Sequence, residues 1–249
     1  MKISLVQMDP AWGAPEANRL KMAALVDSAP EADLYVLPEM FSTGFNGIAE
    51  DCPCGTLEAM KALASRRNAA VAGSVAVCEN GMRYNRFFFV KPDGSVASYD
   101  KKHLFTYGGE QKTYSAGSER VIVEWKGVRF LLLVCYDLRF PVWARSRGDY
   151  DCILCVASWP TVRRYPWDTL LRARAIENQC YVAGVNRVGT DPSCTYSGGT
   201  VLLDPWGKPL AACPDDAETS CSGEIDLKVL SDFRRSFPAL DDADSFSLK

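Results

Sequence analysis

The stretch Arg129-Phe-Leu-Leu-Leu-Val-Cys135-Tyr-Asp-Leu-Arg-Phe-Pro141 decides how this chain is read. Its unbroken apolar run before Cys135 is the pattern of a strand buried on both faces. Cys135 stands where that strand stops and a polar turn begins. A strand end holds a side chain rigidly while its tip opens onto a crevice. A thiol placed there can act as a nucleophile, provided something nearby takes its proton. The chain has one histidine, His103, so the usual base for such a nucleophile is nearly absent and another arrangement must be sought.

Working outward, strand-like and helix-like patterns alternate almost throughout. Strands are predicted at 2-8, 33-37, 70-77, 83-91, 95-100, 121-124, 128-134, 152-157, 181-187, 199-203 and 222-226. Helices are predicted at 15-28, 56-67, 141-148 and 166-179, the last opening on Pro166, a residue favoured in a first turn. Turn signals fall between elements at Pro92-Asp-Gly94, Gly108-Gly109 and Pro205-Trp-Gly207. Hairpin signals mixed with helices argue for an α/β fold with mixed sheets. Two packed sheets with helices outside would fit the counts. Nothing repeats and no linker divides the chain, so a single domain over 1-249 is expected, with a loosely held acidic tail after about 238.

Composition bounds the function. The 249 residues are 47% hydrophobic and 24% charged with net charge -3, an ordinary soluble composition without a basic footprint for nucleic acid. No apolar run approaches the ~20 residues that span a bilayer. The start, Met-Lys-Ile-Ser-Leu-Val-Gln-Met, reads as a strand rather than a signal peptide. A cytoplasmic protein with no membrane partner is expected. The ten cysteines then read as thiols in a reducing compartment. Cys152-x-x-Cys155 lies in an apolar strand whose alternation sends its thiols to opposite faces, which suits neither metal nor redox chemistry. Cys52-x-Cys54 has no second pair at zinc-ligand spacing. No metal or organic cofactor is implied.

Two further polar groups follow apolar strands as Cys135 does: Glu39 after Asp33-Leu-Tyr-Val-Leu-Pro38, and Lys101 after Ser95-Val-Ala-Ser-Tyr-Asp100. Gathered at one rim, the carboxylate would take the thiol proton and the ammonium would stabilise the thiolate and a developing oxyanion. Each residue alone has a plainer reading: a turn glutamate, a solvated lysine, a core cysteine.

Their contexts carry more. Leu37-Pro-Glu39-Met-Phe, Tyr99-Asp-Lys101-Lys-His-Leu-Phe105 and Val134-Cys135-Tyr-Asp-Leu-Arg139-Phe-Pro141 resemble, in order, the three signature segments of the nitrilase (carbon–nitrogen hydrolase) superfamily. The similarity runs from about residue 2 to about residue 237. It implies a four-layer α-β-β-α sandwich, a Glu-Lys-Cys catalytic set, a thioester intermediate and a homodimer. Glu39 matches the base, Cys135 the nucleophile, and Lys101 rather than Lys102 the lysine. Glu110 matches a second glutamate that positions lysine and substrate; its plainer reading is an exposed loop carboxylate. Ala157-Ser-Trp-Pro160, the segment Trp167 to Asn178, and Val185-Asn-Arg-Val-Gly189 look like the bacterial omega-amidase branch, which implies hydrolysis of 2-oxoglutaramate and 2-oxosuccinamate.

For such a substrate, the Tyr136 N–H would serve the oxyanion and Arg163 would hold the far carboxylate, unless it is a surface arginine. Trp159, Phe41 and Phe45 would wall the pocket, or belong to the core. Arg139 reads as a buried partner for acidic groups. Amidases for deaminated glutathione or an N-carbamoyl compound, and an inactive binding protein of the same fold, stay open as alternatives.

Overall fold

The computed structural model describes residues 1–45 and 47–248. In chain order its strands are β1 (Lys2–Gln7), β2 (Leu34–Val36), β3 (Glu50–Asp51), β4 (Ala70–Glu79), β5 (Met82–Val90), β6 (Val96–Asp100), β7 (Ile122–Trp125), β8 (Val128–Val134), β9 (Cys152–Ala157), β10 (Tyr181–Asn186), β11 (Val188–Thr190), β12 (Thr195–Ser197), β13 (Val201–Leu203), β14 (Pro209–Ala212) and β15 (Thr219–Glu224). The helices are α1 (Pro15–Ser28), α2 (Gly55–Arg67), α3 (Pro141–Ala144), α4 (Arg164–Asn178) and α5 (Leu227–Ser236).

Two mixed sheets form. One runs β15-β1-β2-β4-β5-β6 with β3 beside β4; the other runs β14-β13-β10-β9-β8-β7; β11 and β12 make a separate hairpin. Period-two alternation explains how the first sheet serves two interfaces at once. Ile3, Leu5, Leu34, Val36, Phe87 and Phe89 join the core shared with Leu131, Leu133 and Leu154 of the second sheet. Their neighbours Val6, Tyr35, Val71 and Phe88 pack with Met22 and Val26 of α1 and Met60 and Leu63 of α2. On the far side α4 lays Trp167, Leu171 and Ala175 against the second sheet. Gly184 of β10 permits that approach, because a Cβ there would stand 2.5 Å from Leu171 Cδ1. The result is the expected α-β-β-α sandwich.

Several expected elements end elsewhere. The helix expected at 141-148 closes after Ala144, where Arg145 turns to extended backbone. α5, β3, β11, β12 and β14 were not foreseen. Past Ala239–Asp242, the acidic tail places Phe246 under the Arg147 guanidinium and Leu248 against the main core. No helix among the described residues is long and apolar enough to cross a membrane.

Candidate active site

Three strand ends converge on one buried cluster. Beyond β2 the chain turns at Glu39-Met40, with Met40 at φ +46 and its N–H donating to Ser74 Oγ at 3.0 Å. This turn is pinned to β4, which also accepts Leu37 N–H through Ala72 O. Lys101 follows β6, its N–H donating to Asn85 O. Cys135 follows β8 and opens the 3-10 turn Cys135–Arg139.

Cys135 sits at φ +49, a left-handed conformation that costs a non-glycine residue ~1–2 kcal/mol. Asp137 holds it there. One carboxylate oxygen accepts the N–H of Val134 at 3.0 Å and the Tyr99 hydroxyl at 2.7 Å; the other accepts the N–H of His103 at 2.9 Å and lies 2.8 Å from its Nδ1. The one histidine therefore braces the turn and does not meet the thiol. From α4, Arg174 donates to Leu138 O and secures the turn's far end.

The Lys101 ammonium joins two carboxylates. It donates to Glu39 Oε1 at 2.9 Å and to Glu110 Oε2 at 2.9 Å, with all three side chains almost wholly buried. Asn85 Nδ2 donates to the same two carboxylates, at 2.7 Å and 3.2 Å. The second Glu39 oxygen accepts the Ser158 N–H at 2.8 Å, and Glu110 Oε2, which accepts from Lys101, also accepts the Phe105 N–H at 2.6 Å. Glu110 is thus no exposed loop carboxylate. Lys102 points away, its ammonium 5.4 Å from the centre of the Trp143 ring.

Burial sets the titration of this cluster. It raises Glu39 above the ordinary glutamate value, assisted by the charge of Glu110 and opposed by Lys101. For Lys101, burial works against the ammonium, but the charges of Glu110 and Glu39 outweigh it and raise its pKa well above the usual lysine value. Cys135 is raised well above an ordinary thiol, by burial first and then by the Glu39 charge, with Lys101 opposing. Burial and the Glu39 charge both disfavour the thiolate, and Lys101 opposes them. The partial exposure of Cys135 is to a small cavity rather than to bulk water, so desolvation still governs it.

That cavity has a volume of about 230 Å³. Cys135, Lys101, Tyr136, Phe45, Trp159 and Arg163 of the expected set line it. Phe45 places its ring 5.6 Å from the Lys101 ammonium. Phe41 does not reach it. It lies fully buried among the residues under α1 and α2, packed where a Cβ on Gly73 would meet its ring at 3.1 Å. The turn after Glu39 breaks strand alternation, so Phe41 is carried to the core side.

Arg139 also departs from expectation. Asp137 is already saturated by other donors, and Arg139 instead lines the cavity with its guanidinium 4.9 Å from the centre of the Trp159 ring. Asn85 and Ser158 were overlooked. Ser158 follows β9 as Cys135 follows β8, so the rule that singled out Cys135 would have found it. Asn85 interrupts the approach to the apolar run Phe87-Phe-Phe-Val90, a polar break inside a strand. All ten cysteines are free, and no cluster of metal-ligating side chains exists among the described residues.

A sandwich of this topology with a thiol, a buried ammonium and one carboxylate at its strand ends, and a second carboxylate from the 3-10 turn Glu110–Lys112, defines a class of hydrolase. The chain belongs to the carbon–nitrogen hydrolase family, whose sequence model matches residues 2–235. It is an enzyme acting on amide carbon–nitrogen bonds. Omega-amidase YafV of Escherichia coli (strain K12) is 44% identical over 255 residues, covering 100% of this chain and 98% of that protein. The 2-oxoglutaramate amidase of Bacillus subtilis (strain 168) is 36% identical, covering 96% of each. Among solved structures, XC1258 from Xanthomonas campestris, a CN-hydrolase superfamily protein with an arsenic adduct in the active site, superposes with a TM-score of 0.96 at 43% identity, covering 100% of this chain and 99% of that one.

Proposed function

We propose that this protein is an omega-amidase, hydrolysing the terminal amide of 2-oxoglutaramate and 2-oxosuccinamate to the dicarboxylate and ammonia through a thioester on Cys135. The observation that carries the reading is the Lys101 ammonium held between Glu39 and Glu110 at the base of the Cys135 cavity. The relatives that match nearly the full chain supply the substrate class.

Glu39 is the base. Its raised pKa brings it toward neutrality, where a general base is most effective. The Cys135 proton passes to Glu39 as the sulfur attacks the amide carbon. Lys101 and the Tyr136 N–H stabilise the oxyanion; that N–H stands in the first turn after Cys135, where the turn offers no carbonyl to accept it. Glu39 returns the proton to the leaving nitrogen, and ammonia departs to leave the thioester. Water, deprotonated by Glu39, adds to the thioester carbonyl; the thiol leaves with that proton and the acid is released. Glu110 positions Lys101 and keeps its ammonium charged. Phe45 and Trp159 form the apolar wall, and Arg163 faces the substrate's far carboxylate. A reducing, cytoplasmic setting suits ten free cysteines.

We further infer a homodimer built on the α4 side. Tyr165 and Ile176 of α4, with Trp206, Leu210 and Phe237 nearby in sequence to the second sheet and α5, are exposed large apolar residues.

The test is ammonia release from 2-oxoglutaramate, glutamine, deaminated glutathione and an N-carbamoyl amino acid. The expected order puts 2-oxoglutaramate first in kcat/KM, with Cys135→Ala folded and without turnover. Preference for deaminated glutathione or the carbamoyl compound would move the enzyme to another amidase branch. Full activity in Cys135→Ala would remove the mechanism.

A further inference from the structure

Catalysis occupies the inner end of the cavity, and one large aromatic side chain of its wall takes no part in it. Trp12 lines the cavity and is 40% exposed, so its indole stands between the chamber and solvent. It lies on the turn between β1 and α1, outside every signature segment. That turn is pinned on both sides of the indole. Ala11 N–H donates to Asn18 Oδ1 at 2.8 Å, and Asn18 Nδ2, wholly buried, donates to the carbonyls of Ala11 and Ser42, both at 2.7 Å. Gly13 N–H donates to Thr43 O at 2.9 Å.

Ser42 and Thr43 belong to the turn that follows Glu39. Gly44 in that turn sits at φ +70 and offers bare backbone to the ring: a Cβ there would meet Trp12 Cε3 at 3.1 Å. Upstream, Asp9 accepts from the Arg187 guanidinium at 3.0 Å. Arg187 is itself buried and lies 4.4 Å from the centre of the Tyr196 ring, another wall of the cavity. Gly189 leaves room for the bridge, since a Cβ there would stand 2.1 Å from Asp9 Oδ1. The Trp12 turn and the β11–β12 hairpin are thereby held to each other. An aromatic ring on so constrained a turn is a wall of fixed position rather than a mobile surface group.

Size makes that wall matter. The cavity volume of about 230 Å³ falls below the ~300–1,000 Å³ of sites for drug-sized ligands. A short amide fits within it, whereas a peptide-sized amide such as deaminated glutathione must carry part of its acyl chain past the mouth, where the indole stands. We propose that Trp12 is a specificity-determining residue, capping the cavity and limiting the length of acyl chain that an amide substrate can present to Cys135. The limit is steric. A longer chain needs the space the ring fills, and the ring cannot swing aside without losing its seat on Gly44. The preference among amides rests on the omega-amidase reading; the cap on access to Cys135 does not.

The test reads access apart from turnover. Cys135 is alkylated with iodoacetamide and with N-pyrenyl iodoacetamide, which carries the same reactive carbon beside a large aromatic group, and the modification is located by peptide mass spectrometry. The ratio of the pyrenyl rate to the plain rate is expected to be low in wild type, to rise roughly 10-fold or more in Trp12→Ala, and to rise less in Trp12→Phe. Trp12→Leu, which keeps an apolar contact with Gly44, should move the ratio the same way and serves if the alanine variant fails to fold. In parallel, kcat/KM for deaminated glutathione relative to 2-oxoglutaramate should rise by a similar factor in Trp12→Ala. A wild type that takes both reagents at equal rates, or a ratio unmoved by Trp12→Ala and Trp12→Leu, overturns the proposal. Equal loss with both reagents and both amides makes the indole a prop for the Glu39 turn and also overturns it. Failure of the omega-amidase reading shows separately, as absent turnover of 2-oxoglutaramate with the alkylation ratio still raised in Trp12→Ala.

Discussion

At the scale of the residue, the burial that disfavours the Cys135 thiolate governs the chemistry. A cysteine with a raised pKa is a poor free nucleophile, so attack depends on transfer to Glu39 within the same step. Loss of Glu39's base form on acidification should therefore set the acid limb of kcat/KM above pH 4.5, the ordinary glutamate value, while Lys101, raised above 10.5, contributes no loss below that pH. A pH-rate profile checks both limbs. The same shift bears on stability. A carboxyl with a raised folded pKa favours the native state below its unfolded value, and that contribution is lost as pH rises through the folded value. Glu39→Gln should then gain in urea midpoint relative to wild type between pH 4 and pH 8 while losing turnover. Substitution of the lysines separates neighbours: Lys101→Met should lose at least ~100-fold in kcat, whereas Lys102→Ala, whose ammonium faces Trp143, should keep most activity.

Elements deliver those residues, and their legibility in sequence followed how much each depends on local pattern. β9 and α1 were readable to the residue, since one is a pure apolar run and the other is bounded by Pro15 and Pro30. α5 was missed because its polar face merges with the acidic tail, although Asp226 caps its first turn through the N–H groups of Lys228 and Val229 and would have marked it. β12 and β14 carry no apolar period; each is made a strand by pairing with the strand just before it, β11 and β13. The three catalytic candidates were legible because each follows a strand end within a signature segment, although β6 before Lys101 is largely exposed, but Phe41 and Arg139 were misassigned because both follow residues that leave regular geometry, Met40 and Cys135. Asp137 shows the cost of holding such geometry. Asp137→Ala would strand the buried Val134 N–H and the Tyr99 hydroxyl and is expected to lower stability by about 3 kcal/mol, read by urea unfolding, with turnover lost as the elbow relaxes. Gly184→Ala, which overpacks Leu171 beneath α4, should cost about 1–3 kcal/mol.

Over the whole molecule, two sheets meet so that the ends of β2, β6, β8 and β9 open on one cavity, and no helix needs to supply a catalytic group. Sequence pattern alone reached two sheets with helices outside; the pairing that brings Glu39 of one sheet to Ser158 of the other rests on contacts across more than a hundred residues. The homodimer proposed on the α4 side predicts that light scattering gives twice the chain mass of 27.4 kDa and that Ile176→Asp, at an exposed apolar residue, shifts it toward the monomer. The most direct measurement of the mechanism is mass spectrometry of enzyme quenched in acid during turnover of 2-oxoglutaramate. An adduct of substrate mass less ammonia on the Cys135 peptide, absent from the other nine cysteines and from Cys135→Ala, is the expected result. Undiminished turnover with Cys135 unmodified at every quench time would contradict it.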